Sequence, residues 1–146
     1  MKNILLPFPF KFAGLFLTLS GLALAVLYLW FDFRFTIPVF ALFSSFVETK
    51  IFATFQTNFA DELTMLLLVA GLGLVVFSKE KNETENLTLV RAKALAKANV
   101  ANTIFLLFSI MFVYGSGFIG ILILNLFSFS IFYLIFFYFL KHKVTG

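Results

Sequence analysis

Few side chains in this sequence are equipped for bond-breaking chemistry. There is no cysteine, which excludes disulfides and thiolate metal sites. The single histidine, His142, stands in a terminal "KHK", the setting of a solvated tail rather than of a ligand. The only adjacent carboxylates are Asp61 and Glu62. Neighbours on a helix point about 100° apart, so these two do not readily share one proton or one metal. Catalysis of the usual kinds wants a positioned nucleophile, a paired acid and base, or a ligand cluster. None is legible, and the expectation is a protein that is no enzyme and holds no cofactor or metal. Two polar groupings stand out instead. Asn102, Asn125 and Ser130 lie within apolar runs, and "SKEKNETENLTLVRAKALAK", residues 78–97, holds eight of the eighteen Asp, Glu, Lys and Arg residues.

The elements that carry these groupings follow from composition. Of the 146 residues 62% are hydrophobic, against about 45–50% in soluble domains. A water-soluble fold of this size could not bury so much apolar surface, so part of the solvent is lipid. A helix crossing about 30 Å of hydrocarbon needs about 20 mostly apolar residues. Segments 12–30, 59–77, 100–114 and 118–140 qualify. The third is short, and its helix is expected to begin before the membrane; "GSG" at 115–117 then turns it into the fourth. "ALA" at 23–25 resembles a signal-peptide cleavage site, but "VLYLWF" continues the apolar run, so the first span is expected to be retained. Asp61 and Glu62 fall in the first turn of span two, where carboxylates suit the helix dipole, with Thr57 or Asn58 as cap. The fold class expected is therefore an all-α integral membrane protein, a single domain with four transmembrane helices.

Polar residues inside the spans read chiefly as helix contacts. Gly14, Thr18, Gly21 and Ala25 give span one a small-residue face along which another helix can pack closely, and Ala70, Gly71 and Gly73 give span two a similar flat spot. Counting outward from Ser116 puts Asn102 level with Ser130, and Asn125 within a turn of Ser109. An amide in hydrocarbon needs a partner, so pairing across the final hairpin is the expected role. A polar path for a ligand around Asn102 and Asn125 is the competing one. No charge falls near the middle of a span, where ion-coupled transporters commonly carry one.

Sidedness follows from the basic residues. Lysine and arginine in short loops accumulate on the cytoplasmic side. Lys2 and Lys11, then Lys79, Lys81, Arg91, Lys93 and Lys97, then Lys141 and Lys143 all fall on one side of a four-span chain. That is nine of the 11 basic residues, and only Arg34 and Lys50 fall on the other. Both termini and the loop and helix at 78–99 are expected to be cytoplasmic. "NET" at 82–84 and "NLT" at 86–88 match the glycosylation sequon but lie on that side, and so read as chance matches.

The external segment, 31–58, is neither a span nor a polar loop. Thr36 can cap a helix with Pro38 in its first turn, and Val39, Phe43, Phe46, Val47 and Phe55 form a rough apolar stripe interrupted by Ser44, Ser45, Glu48 and Thr49. An interfacial helix on the outer leaflet is expected, serving as lid, ledge or connector.

On the cytoplasmic side, Leu87, Val90, Ala94, Ala98 and Ala101 share one face of a helix expected over about 87–114. Arg91 falls on the neighbouring face with Leu95, Asn99 and Asn102, and Lys93 and Lys97 on the other flank. Arg91, Lys93 and Lys97 are thus the candidate surface for a protein partner or for anionic lipid. Interleaved glutamates dilute the positive field, so no nucleic acid partner is expected. The partners expected are the lipid bilayer and a cytoplasmic or membrane protein; four thin helices enclose little space, which leaves room for homo-oligomers as well.

The stretches "FADELTMLLL", "FSKEKNETENL", "RAKALAKANVANTIFLLFS" and "YGSGFIGILILNLFS" resemble a group of small, uncharacterised four-span membrane proteins of the Bacteroidota. In that group an acidic pair opens span two, a "SKEK" segment follows it, and a basic helix leads into span three. The resemblance covers roughly residues 36–134. It implies a bacterial inner-membrane location and brings no activity and no site residues. The functional expectation is an accessory, scaffold or regulatory partner acting through the charged segment, with a small transporter or channel near Asn102 and Asn125 as the alternative.

Overall fold

The computed structural model describes residues 5–45 and 49–145. In chain order the elements are α1 (Pro9–Phe31), β1 (Thr36–Ser45), β2 (Thr49–Asn58), α2 (Ala60–Phe77), α3 (Glu85–Phe112) and α4 (Ser116–Thr145). All four helices are long and apolar enough to cross a membrane.

Local sequence explains most of the boundaries. Proline at the first position starts α1, where its missing N–H costs no helical bond. The helix stops at Asp32, which turns left-handed at φ 51° and donates its N–H to the Leu27 carbonyl. Asn58 Oδ1 accepts from the Ala60 N–H at 3.3 Å, and so serves the start of α2 from just outside it. The turn from α3 to α4 comes earlier than "GSG" suggests: Gly115 takes φ +70°, and Ser116 and Gly117 already belong to α4.

The segment between α1 and α2 is not a helix. β1 and β2 form an antiparallel hairpin with Ile37 opposite Thr57, Val39 opposite Phe55 and Ala41 opposite Ala53. The period is two rather than 3.6. Ile37, Val39, Ala41, Ala53, Phe55 and Thr57 are half-buried on one face, while Pro38, Phe40, Leu42, Phe52 and Thr54 are exposed on the other. β-Branched and aromatic residues fit such a pleated surface, and their density here outweighs the proline signal for a helix start. Phe46, Val47 and Glu48, placed on the expected interfacial helix, lie outside the described residues.

Two packed helix pairs, α1/α2 and α3/α4, are joined through α2 and α4. The small face of α1 lets the first pair close. A Cβ on Gly14 would stand 2.8 Å from the Gly71 carbonyl oxygen, and one on Gly71 would stand 2.5 Å from the Thr18 nitrogen, so both positions require glycine. The second pair buries Leu87, Val90, Ala94 and Ala98 of α3 against Tyr133 and Phe137 of α4. Leu6 bridges Ser78 in parallel, its N–H donating to the Phe77 carbonyl at 2.8 Å. This gathers the start of α1, the end of α2, the start of α3 and the end of α4 at one end of the molecule, with the β-hairpin at the other.

Candidate functional site

The charged end is built around Arg91, which is 3% exposed. It lies four residues after Leu87 and three before Ala94, on the face that α3 turns toward α4. This corrects its assignment to a partner surface. A buried guanidinium must satisfy five N–H donors. Nε donates to Glu83 Oε1 at 3.0 Å and Nη2 to Glu83 Oε2 at 3.1 Å, the bidentate fork that suits carboxylate geometry. The second Nη2 proton goes to the Ser78 carbonyl at 3.0 Å. Nη1 donates to the Val76 carbonyl at 3.3 Å and to the Tyr133 hydroxyl at 3.2 Å. Phe137 lies beneath the guanidinium, its ring centroid 4.7 Å away. All five donors have acceptors.

The two carbonyls belong to the last turn of α2 and the residue that follows it. Such groups lack helical partners and form the negative end of the helix dipole. Arg91 therefore caps α2 from α3, while Tyr133 and Phe137 hold it from α4. Glu83 is fixed in turn, because its Oε2 also accepts the Glu80 N–H at 2.8 Å.

Glu80 completes the link to α1. One of its oxygens accepts from Lys11 and the other from Lys141 at 2.8 Å, and the Tyr138 ring lies 5.1 Å from the Lys11 ammonium. Burial alone would raise both carboxyls. For Glu80 the Lys11 and Lys141 ammoniums outweigh it, and for Glu83 the Arg91 guanidinium and the Glu80 N–H do, so each sits below the ordinary glutamate value. The loop between α2 and α3 is thus the hub of a clasp that touches all four helices.

Lys93 and Lys97 are exposed on the opposite side of α3. The structure therefore separates the three residues of the candidate surface into one buried and two exposed. It brings Asn102 and Asn125 together: Asn125 Nδ2 donates to Asn102 Oδ1 at 3.3 Å. The hydroxyl that joins them is that of Ser128, which donates to Asn102 Oδ1, rather than that of Ser130. Ser109 donates to the Phe105 carbonyl of its own helix at 2.8 Å and does not meet Asn125. The earlier turn at Gly115 sets this register.

Lys11, Glu80, Glu83, Tyr133 and Lys141 went unrecognised as a group in the sequence. The available signal was Arg91 itself, at helical spacing from Leu87, Ala94 and Ala98, because a charge on an apolar face implies buried partners. The fold and site define a helical molecule with four membrane-compatible helices and a charge-closed end. The chain matches no family model, no curated protein and no solved structure.

Proposed function

We propose that this chain is a non-enzymatic accessory or scaffold protein of a bacterial inner membrane, with both termini and the α2–α3 loop in the cytoplasm. The observation that carries the reading is the closure of the clasp. Arg91 has an acceptor for every donor, Glu83 is held by Arg91 and a backbone N–H, and Glu80 by two lysines. Groups so paired fix geometry: the Arg91 donors and the Glu80 and Glu83 carboxylates are all engaged within the protein. The sidedness of the basic residues supports the location.

The working surface is then what the clasp holds outward: the loop tip with exposed Lys81, Asn82, Thr84 and Asn86. A rigid polar tip standing off a membrane suits a cytoplasmic or membrane protein partner. Purification after cross-linking in native membranes tests this. The wild type is expected to bring down a defined protein, and a Lys81→Ala/Asn82→Ala/Asn86→Ala variant to lose it with its melting temperature unchanged. If the wild type retains no protein and instead moves a solute in proteoliposomes, the transporter reading around Asn102 and Asn125 replaces this one.

A further inference from the structure

An apolar groove of about 400 Å³ runs along α3, lined by Ala96, Lys97, Val100, Ala101 and Ile104, with Phe136 of α4 as its far wall. It is shallow and open, a face for an extended chain rather than an enclosed pocket. Lys93, Lys97, Val100 and Ile104 follow one another at helical spacing and are all exposed. Among the described residues α3 packs extensively only on α4, so this stripe has no helix against it.

Depth gives the groove its chemistry. At about 1.5 Å per residue, Lys97 stands about 23 Å and Lys93 about 29 Å from Phe112 at the other end of α3. With hydrocarbon about 30 Å thick, the two ammoniums reach the headgroup level of one leaflet while Val100 to Ile104 lie among its acyl chains. A transmembrane helix seated here would have to bring a carboxylate to each lysine. A phospholipid brings a phosphate to that level and a hydrocarbon chain to the groove below it.

We infer that this groove is a binding site for an anionic phospholipid of the cytoplasmic leaflet. One acyl chain lies against Val100, Ile104 and Phe136, and the phosphate with its acidic headgroup meets Lys97 and Lys93. The inference rests on the orientation given under Proposed function for its leaflet, and not for its selectivity, which can be read in detergent.

Native mass spectrometry of the full-length chain tests it, with phosphatidylglycerol or phosphatidylcholine of identical acyl chains added in turn. With both ammoniums facing the headgroup, the wild type is expected to bind the anionic lipid with a several-fold preference. Lys93→Gln/Lys97→Gln is expected to abolish that preference while phosphatidylcholine still binds. Ala96→Phe, on the exposed rim, is expected to fill the groove and weaken both lipids. Equal binding of the two lipids by the wild type overturns the site, as does a preference that survives the double substitution, or lipid binding untouched by Ala96→Phe. Displacement of phosphatidylglycerol by millimolar inorganic phosphate also overturns it, since a free anion would then be the ligand. Thiol labelling at position 86 reports the orientation separately, so failure of the leaflet assignment is distinguishable from failure of the site.

Discussion

At the scale of single residues, three cations of one segment have opposite fates. Arg91 is enclosed by Glu83, Tyr133, Phe137 and two backbone carbonyls, whereas Lys93 and Lys97 stand in the open. Removing one partner of a buried ion pair leaves an uncompensated charge and typically costs about 3–5 kcal/mol. Arg91→Gln is therefore expected to lower stability in detergent by about that much, and Lys93→Gln by almost nothing. Arg91→Lys should fall nearer to Gln than to the wild type, because an ammonium cannot reproduce the five-donor fork. Equal melting temperatures for Arg91→Gln and Lys93→Gln would contradict the enclosed site. Acid should act on the same residues. Glu80 and Glu83 sit below their unfolded value of about 4.3, so the unfolded chain binds more protons as pH falls. Their contribution is whole above about pH 4.3 and fades as pH drops through the lower folded values. A melting temperature flat from neutral pH to about 5 and falling below about 4 is expected, with a shallower fall in Glu80→Gln/Glu83→Gln.

At the scale of elements, the helices were legible and the segment between α1 and α2 was not. Long apolar runs with a proline at one end and charges beyond them leave little choice but a helix, and Leu87, Val90, Ala94 and Ala98 announced the buried face of α3. Over residues 36–58 two periods compete. A helical stripe can be drawn through Val39, Phe43 and Phe55, but alternation places Ile37, Val39 and Ala41 opposite Thr57, Phe55 and Ala53, and pairing between distant residues is invisible to a local pattern. The register is checkable in a chain without cysteine. Val39→Cys with Phe55→Cys should form a disulfide on mild oxidation, whereas Val39→Cys with Ala53→Cys should form far less; the reverse order would return the segment to a helix or another register. The clasp was hidden for a related reason. Lys11, Glu80 and Lys141 are far apart in sequence, and only folding makes them neighbours. The α3/α4 polar contact was half legible: both asparagines were in view, but a shift in the turn exchanged Ser130 for Ser128. Asn125→Leu is expected to lower stability by about 0.6–2 kcal/mol, the range of intramembrane hydrogen bonds, measured by unfolding in detergent.

At the scale of the whole molecule, the proposed orientation and the fold draw on the same charges. On the proposed orientation, Lys11, Arg91 and Lys141 count with the other basic residues of the cytoplasmic side. In the fold these three join the clasp, while Lys81, Lys93, Lys97 and Lys143 are exposed at that end. A lost clasp and a lost orientation should therefore be separable. Lys11→Gln removes one of nine basic residues on its side, too few to invert the chain, yet it breaks the link from α1 to Glu80. Single cysteines at the exposed positions Asn86 and Gln56 report the outcome with a membrane-impermeant thiol reagent on intact cells. On the proposed orientation Gln56→Cys is labelled and Asn86→Cys is labelled only after the membrane is opened. Both patterns should persist in the Lys11→Gln background while its melting temperature falls. Labelling of Asn86→Cys in intact wild-type cells would place the clasp outside and remove the cytoplasmic partner from the account; an inverted pattern in Lys11→Gln alone would mean that pairing with Glu80, rather than the count of basic residues, holds the orientation.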